Sequence, residues 1–379
     1  MKRILVISHK CTPPIYEGNQ RCIYGYCDLL RSNGVDVHFL YVQGRERISA
    51  TDLHVAKTYW GNSFHLFNRR FLLDAIPIGI AIIMSRFIGT YRVDDRYPRG
   101  LTHYVKKLQK EYCFDGIIIN YLLFAKLFKS KINAKKIVYT HDVLSYKSRR
   151  NDMKKFWLNL SPNEEAKGLE RADVILSIQE NESIYFKYLC PNKPVYTVYT
   201  DFKVSEKRIA GNKNIVFLSG KSILNQNGIR YFVKNVYPRV LQYVPEAKLY
   251  VGGSICDYIK DLESEKIILV GRVEEEAGFY GLANVAINPI YQGTGLKIKT
   301  FEALSYGMVT VVHPHSTEGI YEKEKAPVLV GHTDEEFAKH IIRALTDELF
   351  CKEMSQRSIE YIQAMSTEIS NIFMQVIEA

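Results

Sequence analysis

Several motifs that mark common enzyme classes are missing from this sequence. It has no G-x-x-x-x-G-K-[S/T] phosphate loop, no H-E-x-x-H metal motif, no G-x-S-x-G nucleophile elbow and no G-x-G-x-x-G dinucleotide fingerprint. The chemistry that these motifs serve is therefore not expected. The seven cysteines are dispersed and form no Cys-x-x-Cys pair, so neither a zinc ribbon nor a dithiol redox site is expected.

Long apolar runs are also missing. The most apolar segment, residues 75–84, contains Pro77 and Gly79 and is far shorter than the roughly twenty residues that span a bilayer. The short apolar run at residues 4–7 predicts a first buried strand and not a signal segment. Together with the dispersed cysteines, these features predict a cytoplasmic protein with reduced thiols that does not cross a membrane.

The chain is long enough for two domains, and its net charge is positive. Its 379 residues exceed one typical core, and its 46% hydrophobic and 24% charged residues are typical of a globular protein. Seven of the ten net positive charges lie in residues 43–110, where twelve basic residues outnumber five acidic ones. This basic, aromatic insert suggests an anionic partner, namely a membrane surface, a pyrophosphate-linked acceptor or nucleic acid; a solvated face is the alternative.

Short apolar segments alternate with longer helical ones, which predicts an α/β fold with parallel sheets. We expect a Rossmann-like domain over residues 1–203 and a second over residues 214–379 with a helical tail, joined by a polar linker. The predicted strands are residues 3–8, 35–42, 116–120, 136–141, 173–178, 195–199, 214–219, 247–252, 266–270, 285–289, 308–312 and 327–330. Ligands bind beyond the carboxyl ends of such strands, so the expected site is a cleft between the two sets of strand ends.

Residues 291–307 say most about function. A Gly-Thr-Gly turn precedes a predicted helix, Lys297 and Lys299 fall in its first turn, and Glu302 follows one turn later. Lysines are unfavourable at a helix N-terminus unless an anion binds there. The segment therefore predicts a phosphate site, and Glu302 could accept hydrogen bonds from a ribose diol, which together suit a nucleoside diphosphate. An ordinary core stripe with solvated lysines is the alternative.

Two strand ends in the first half carry further candidates. The first strand leads into an unusually long loop that ends at Gly18, which offers a second possible anion site. His141 and Asp142 close a later strand, where the histidine could orient or deprotonate a hydroxyl. Lone histidines are also often structural, so both interpretations remain open.

A strand end in the second half carries a third group. Gly220 and Lys221 follow the strand at residues 214–219, and a helix is predicted at residues 227–243. Asn225 or Asn227 is the predicted N-cap of that helix. This arrangement brings another helix N-terminus and another lysine to the expected cleft.

The second half resembles the nucleotide-binding domain of retaining glycosyltransferases with the GT-B fold, of the family-4 or group 1 type. The matching motifs, in order, are Phe217-x-x-Gly220, Asn227-Gly228, Pro245, Gly252-Gly253, Gly271-Arg272-Val273, Asn288-Pro289, residues 293–307 and Thr317-Glu318-Gly319-Ile320. The first half matches more loosely, through Gly18, Gly34, His141-Asp142 and residues 172–175.

The resemblance implies two Rossmann-like domains facing across a cleft, and a role for each matching residue. Glu302 would hold the ribose, Lys221 and residues 293–297 the diphosphate, and His141 would lie by the reacting sugar. The donor-binding residues implied are Gly18, Gly220, Lys221, Asn225, Arg272, Val273, Gly293, Thr294, Gly295, Leu296, Lys297 and Glu302. One departure is Thr294, because the family often has there a glutamate that contacts the donor sugar, although a subgroup with the Gly-Leu-Lys-Ile-Lys form lacks it too.

We therefore expect a glycosyltransferase that moves a sugar from a nucleoside-diphosphate sugar to a hydroxyl of a glycan, lipid-linked or other acceptor, in bacterial surface-polysaccharide or glycoconjugate synthesis. His141, Asp142 and Lys297 are the expected catalytic residues. No metal or other cofactor is expected, because lysines and helix ends can neutralise the diphosphate. The basic insert is expected to form the acceptor side, with possible peripheral contact to the inner face of the cell membrane.

The sequence leaves two alternatives to transfer open and argues against a third. A nucleotide-sugar epimerase can share this architecture, and Thr294 leaves room for a non-catalytic homologue that binds nucleotide sugars. A nucleic-acid-binding protein would explain the positive charge. It is not expected, because the sequence has no recognition motif and no arginine-rich array.

Overall fold

A computed structural model of the chain describes residues 1–44, 47–69, 71–150, 158–205, 212–293 and 295–378, with the backbone alone at residues 71–75 and 77. The chain divides into two compact units. The first consists of Met1–Asp201 together with Glu368–Ala379, and the second of Phe202–Thr367.

In the described part of the first unit, seven strands form one parallel sheet in the order β3-β2-β1-β4-β5-β6-β7. These strands are β1 (Arg3–Ser8), β2 (Asp36–Gln43), β3 (Phe64–Asn68), β4 (Gly116–Asn120), β5 (Lys135–Tyr139), β6 (Val174–Ser177) and β7 (Val195–Thr197). The helices are α1 (Gly18–Ser32), α2 (Ala50–Trp60), α3 (Phe71–Ile88), α4 (Leu101–Tyr112), α5 (Lys147–Arg150), α6 (Pro162–Leu169) and α7 (Glu180–Leu189), with 3₁₀ segments at Gly61–Ser63 and Leu122–Lys129.

The second unit has a six-stranded parallel sheet in the order β10-β9-β8-β11-β12-β13 among its described residues. Its strands are β8 (Asn214–Leu218), β9 (Lys248–Gly252), β10 (Ile267–Gly271), β11 (Val285–Asn288), β12 (Val309–Val312) and β13 (Val328–Val330). Its helices are α8 (Ile223–Tyr231), α9 (Tyr237–Tyr243), α10 (Glu276–Tyr280), α11 (Ile298–Ser305), α12 (Asp334–Thr346) and α13 (Glu348–Glu378), whose last residues belong to the first unit. A π-helical turn at Phe232–Val236 joins α8 to α9, and 3₁₀ segments lie at Cys256–Tyr258, Lys260–Leu262, Pro314–Thr317 and Lys323–Lys325.

The strands form because short runs of branched apolar residues can bury both of their faces. In β1, Leu5 and Ile7 belong to one hydrophobic cluster, while the alternate residues Ile4 and Val6 are equally buried on the other face. The same holds in β8, where Val216 packs into a different cluster from its neighbours on either side. A parallel sheet covered by helices on both faces requires this pattern, so the predicted α/β fold class is confirmed.

Three elements differ from the sequence prediction. Strand β3 pairs with β2 inside the basic insert and was not predicted, because its residues show no clean alternation of apolar and polar side chains. Helix α8 begins at Ile223 and its N-cap is Ser222, whose Oγ accepts a hydrogen bond from the N–H of Asn225 at 3.3 Å. The N-cap prediction of Asn225 or Asn227 is therefore wrong; a serine three residues earlier supplies the capping oxygen.

The end of the helical tail also belongs to a different unit from the one predicted. Residues 334–378 are helical except for a break at Asp347, as predicted, but Glu368–Ala379 group with the first unit, not with the second as the predicted boundaries had it. The ring of Phe373 stacks on Tyr26 at 5.5 Å and meets Tyr139 edge-on at 6.1 Å between ring centroids. Aromatic burial at the end of α13 explains why this segment joins the first sheet's core.

Each sheet has one point at which the strand order reverses. In the first unit this point lies between β1 and β4, and in the second between β8 and β11. Loops that leave the carboxyl ends of such neighbouring strands diverge and open a crevice, which is where doubly wound sheets bind ligands. Two of the segments singled out from the sequence, residues 219–222 and 289–297, follow β8 and β11.

Candidate functional site

The loop after β8 (residues 219–222, the β8 loop) presents Gly220 and Lys221 at the surface of the second unit. Both residues are exposed. The amide of Asn225 turns back from α8 and donates through Nδ2 to the carbonyl oxygen of Gly220 at 2.9 Å. This hydrogen bond and the Ser222 cap fix the direction in which the loop enters α8, and they leave the ammonium of Lys221 on an exposed stem at the helix N-terminus.

The loop after β11 (residues 289–297, the β11 loop) folds around its own lysine. Lys297 is buried, and its Nζ donates to the carbonyl oxygens of Gly293 at 3.2 Å and Gly295 at 3.1 Å. Gly295 is exposed and Leu296 is half-buried, while Thr294 lies outside the described residues. The predicted diphosphate lysine therefore holds the glycine turn in this structure, and burial lowers its pKa.

Gly293 brings the two loops together. It has φ of +110°, a conformation open to glycine, and a Cβ at this position would lie 3.1 Å from Cδ1 of Leu224 on α8. His315, which follows β12, contacts the carbonyl oxygen of Gly293 through Nε2 at 2.7 Å. His315 was not singled out from the sequence, although its place after the carboxyl end of a neighbouring strand was an available signal.

Helix α11 begins at Ile298, directly after Lys297, and carries Lys299 in its first turn. The Nζ of Lys299 donates to Oδ1 of Asn225 at 2.7 Å and lies 5.3 Å from the centre of the Phe217 ring. Burial, and then the charge of Lys297, lower the pKa of Lys299 to about 7. Of the two lysines in the predicted phosphate site, Lys297 thus ends the β11 loop and Lys299 lies in the first turn of α11, and both have partners within the chain.

Glu302 lies one turn along α11 and is half-buried. Its Oε2 accepts a hydrogen bond from the hydroxyl of Tyr280 at 3.2 Å, and the Tyr280 ring stacks on Tyr306 at 4.7 Å. The buried tyrosine orients the carboxylate, which keeps further acceptor capacity, since an ionised carboxylate can accept about four hydrogen bonds. Tyr280 was not predicted from the sequence.

Arg272 and Val273 follow β10, beside the glycine pair at the end of β9. Arg272 is exposed and Val273 is half-buried. A Cβ at Gly252 would lie 2.7 Å from Cγ2 of Val273, so glycine allows this loop to approach the sheet. Gly253 has φ of +96°, and its N–H donates to the carbonyl of Gly271 at 2.7 Å.

Two buried polar atoms at the strand ends have no hydrogen-bond partner among the described residues. They are Oγ of Ser219, after β8, and Oδ1 of Asn288, the last residue of β11. The amide nitrogen of Asn288 is satisfied, because it donates to Oγ1 of Thr300 at 2.9 Å. Since buried polar atoms are normally paired, these two mark the point of strand reversal as a place where a ligand or water completes the bonding.

His141 lies at the carboxyl end of β5 in the first unit. Its Nε2 contacts Oδ1 of Asn120 at 2.8 Å, and Nδ2 of Asn120 donates to the carbonyl of Ile7 at 3.1 Å. Because a carbonyl can only accept, the amide orientation is set and His141 must donate through Nε2. Burial lowers the pKa of His141 to about 3, so the ring is neutral, with Nδ1 as a buried acceptor that has no partner among the described residues.

Asp142 forms an ion pair with Lys147, and both side chains are largely buried. Burial lowers the pKa of Lys147 to about 8. The pair gives Asp142 a structural partner, and no contact between Asp142 and the His141 ring is seen in the described residues.

Glu182, on α7, is a further buried ionisable residue of the first unit, and desolvation raises its pKa to about 7.

Gly18 is the first residue of α1, and the long loop before it is held by its neighbours. The N–H of Glu17 donates to Oε1 of Gln20 at 3.0 Å, and Lys10 pairs with the Glu17 carboxylate at 2.6 Å. A carboxylate therefore already lies at this helix N-terminus, where the dipole favours negative charge. Whether Gly18 approaches a donor remains a prediction.

A cavity of about 630 Å³ lies elsewhere in the first unit, beside the amino ends of β4 and β5. Its lining includes Gln109, Cys113, Asp115 and Lys135, and none of the predicted site residues. In the described chain no group of three or more His, Cys, Asp or Glu side chains is arranged to hold a metal ion.

Comparison with known proteins identifies the fold. The chain is similar over its full length to a mutant of S. aureus TarM crystallised with fondaparinux, α-GlcNAc-glycerol and UDP, at 11% identity, with all of that chain covered and a TM-score of 0.68. It is similar to the pneumococcal O-GlcNAc transferase GtfA in complex with UDP and GlcNAc, at 12% identity, with 98% of that chain covered and a TM-score of 0.67. The chain therefore has the GT-B fold of the glycosyltransferases, as predicted.

Part of the second unit matches a known family. Residues 212–347 match the family described as Glycosyl transferases group 1. A curated relative, described as an uncharacterized 44.6 kDa protein in the cps region of Klebsiella pneumoniae, is 23% identical over 393 residues, with 96% of each chain covered. The segment is thus a group 1 glycosyltransferase domain, and the protein is a glycosyltransferase.

Proposed function

We propose that the protein transfers a sugar from a nucleoside-diphosphate sugar to a hydroxyl of a growing surface polysaccharide or its lipid-linked precursor. The observation that carries this proposal is the meeting of the β8 and β11 loops at the strand reversal of the second sheet. There Lys299 bonds to Asn225, and Gly293 packs beside Leu224. Two helix N-termini, Lys221, Lys297 and the Glu302 carboxylate thus lie on this pair of adjoining loops and on the helices that follow them.

The diphosphate would bind at the N-terminal ends of α8 and α11, where the helix dipole favours an anion. Lys221 is exposed at the first of these helix starts, and Lys297 precedes the second. Contact of the diphosphate with Lys297 would require its ammonium to leave the carbonyls of Gly293 and Gly295 in part. These charges stabilise the leaving diphosphate more strongly as the sugar–phosphate bond breaks, which lowers the barrier to transfer.

Glu302 would accept hydrogen bonds from the ribose hydroxyls while Tyr280 holds its other edge. Neutral His141 would contribute a hydrogen-bond acceptor, Nδ1, for a hydroxyl of the sugar or the acceptor. A ring with a pKa of about 3 is a weak base, so we assign His141 to orientation and not to proton removal. The resemblance to retaining enzymes supports transfer with retention and without an enzymic nucleophile.

No divalent cation is needed in this proposal, because lysines and amide groups supply the positive charge. The test is a titration of nucleotide with and without a chelator. An unchanged dissociation constant in the chelator supports metal-free binding, and a loss of binding that Mg²⁺ restores argues against it.

The acceptor is proposed to be a glycan, carried by a lipid, at the inner face of the cell membrane. Support comes from the polysaccharide-region relative and from the net positive charge of residues 43–110. The protein would act in the cytoplasm as a peripheral enzyme.

The experiment for the proposed function is a thermal-shift panel of UDP-, GDP-, dTDP- and ADP-sugars, followed by incubation of the stabilising donor with and without acceptor lipid extract. Transfer of labelled sugar to the extract supports the proposal. A changed sugar without any acceptor would identify an epimerase. Stabilisation with neither reaction would identify a non-catalytic nucleotide-sugar binder.

A further inference from the structure

Helix α3 exposes a continuous row of large apolar side chains in the basic segment of the first unit. The described members of this row, called the α3 face, are Ile76, Ile80, Ile83, Met84, Phe87 and Ile88. Their exposed fractions range from 46% to 83%. Apolar residues scattered singly on a surface need no explanation, but a contiguous row of this size marks an interaction site.

The spacing of these residues puts them on one side of the helix. At about 100° per residue, the six positions fall within an arc of about 140°. Ile78 and Ile82, on the opposite side, are half-buried, and Ala81, just beyond the edge of the arc, is buried. One side of α3 therefore packs on the protein while the other faces outward.

The end of α3 is held in place. The carbonyl of Gly89 accepts a hydrogen bond from Nδ2 of Asn159 at 2.8 Å, and Tyr91 forms a bridge with Leu160. The N–H of Gly89 closes the last helical turn on the carbonyl of Ser85 at 2.8 Å. The α3 face is thus presented from an anchored helix.

The surroundings of the α3 face are basic. Arg86 is exposed on the helix, and Arg92 is exposed four residues after its end. Among the nearby acidic residues, Asp94 is paired with both Lys129 and Arg171. The segment from residue 86 to residue 110 carries seven basic and two acidic residues, so its charge complements an anionic surface.

We propose that the α3 face inserts into an anionic lipid bilayer, with the helix lying in the plane of the membrane surface. The apolar side chains would enter the boundary between headgroups and acyl chains, about 5–10 Å deep, while Arg86 and Arg92 contact lipid phosphates. No helix in the described ranges is long and apolar enough to cross a bilayer. This attachment is separate from the donor binding proposed for the second unit.

The test uses the full-length protein and vesicles of phosphatidylglycerol and phosphatidylcholine, with pure phosphatidylcholine vesicles for comparison. Phe87→Glu changes the most exposed member of the α3 face, and Leu349→Glu makes the same kind of change at an exposed residue of α13 in the second unit. Phe87→Trp and Leu349→Trp report insertion through a shift of tryptophan emission and quenching by brominated lipids. Thermal melting and UDP titration check that each variant is folded and binds nucleotide as the wild type does.

Wild-type protein is expected to co-sediment with the anionic vesicles, and more weakly as salt rises. Phe87→Glu should bind them at least about tenfold more weakly, whereas Leu349→Glu should match the wild type. Emission of Phe87→Trp should move to shorter wavelength and be quenched by brominated lipid, with no change for Leu349→Trp. Equal binding of Phe87→Glu and wild type would overturn the proposal, as would a wild-type dimer that Phe87→Glu dissociates, because a second copy would then cover the face.

Discussion

Lys299 donates a hydrogen bond through Nζ to Oδ1 of Asn225 at 2.7 Å, which joins the first turn of α11 to the first turn of α8. Asn225 in turn donates to the carbonyl of Gly220. Lys299 therefore links α11 to α8 and, through the same amide, to the β8 loop. Its low pKa follows from that position, since burial and the charge of Lys297 both disfavour the ammonium.

The first prediction concerns proton uptake on nucleotide binding. With a pKa of about 7, Lys299 is largely neutral at pH 8, and a bound diphosphate should restore its charge. UDP titrated calorimetrically at pH 8 should show a binding enthalpy that depends on the ionisation enthalpy of the buffer, and Lys299→Met should reduce that dependence. Lys325→Met, an exposed lysine of the same unit, is the control. An enthalpy independent of buffer in the wild type would contradict this prediction.

The second prediction concerns Gly253, whose φ of +96° and close approach to the β8 loop both require glycine. A Cβ there would lie 2.2 Å from the carbonyl oxygen of Ser219. Gly253→Ala should lower the free energy of unfolding by about 2–4 kcal/mol. Gly278→Ala in α10 is the matched control, because its Cβ would meet nothing nearer than 3.6 Å, and it should be neutral or slightly stabilising. Urea denaturation measures both, and equal stability of the two variants would refute the strain at Gly253.

The third prediction concerns the ionisation of His141. Its folded-state pKa of about 3 lies below its ordinary value, so the unfolded chain takes up the proton first as the pH falls. The stability that neutral His141 supplies is present above about pH 6.5 and is lost as the pH falls toward 3. The destabilisation caused by His141→Gln should therefore be about 2 kcal/mol smaller at pH 4.5 than at pH 7.

Denaturant unfolding at the two pH values measures this difference, with His103→Gln, an exposed histidine of α4, as control. Nitrogen-15 NMR should also find the Nε2–H tautomer between pH 5 and pH 8. A charged ring at pH 6, or a loss of stability that does not change with pH, would disprove the assignment of His141 as a neutral acceptor.

The parallel sheets could be predicted from the sequence, because strands such as β1 and β4 are short runs of branched apolar residues. Such runs are typical of strands that are buried on both faces of a parallel sheet. The sequence also located the two loops that follow β8 and β11. It was not sufficient for β3, whose pairing with β2 depends on tertiary contacts, or for the end of α13. Helical periodicity there predicts a helix but cannot say that Phe373 packs on Tyr26.

Side-chain direction was the least predictable part of the candidate site. The sequence predicted two lysines in one helical turn, but not that Lys297 bonds to its own loop while Lys299 reaches Asn225. Tyr280 and His315 belong to no sequence motif that would have identified them. They contact Glu302 and Gly293 because the fold brings the ends of separate elements together.

The fourth prediction concerns Glu302 and the nucleotide. The carboxylate should supply charge-assisted hydrogen bonds to the ribose, and each is worth about 1.5–3 kcal/mol. Glu302→Ala should therefore weaken binding of UDP, or of the diphosphate of whichever base the donor panel selects, by at least about tenfold. The nucleotide affinity of Glu302→Gln should lie between those of Glu302→Ala and the wild type. Glu324→Ala, at an exposed site of the same unit, should leave the affinity unchanged.

Calorimetric titration of this nucleotide into wild-type protein and Glu302→Ala is the most direct test of a donor site at the β8 and β11 loops. We predict a single site per chain in the wild type and a dissociation constant raised at least about tenfold in the variant. An identical dissociation constant in both proteins, with both folded, would contradict the site.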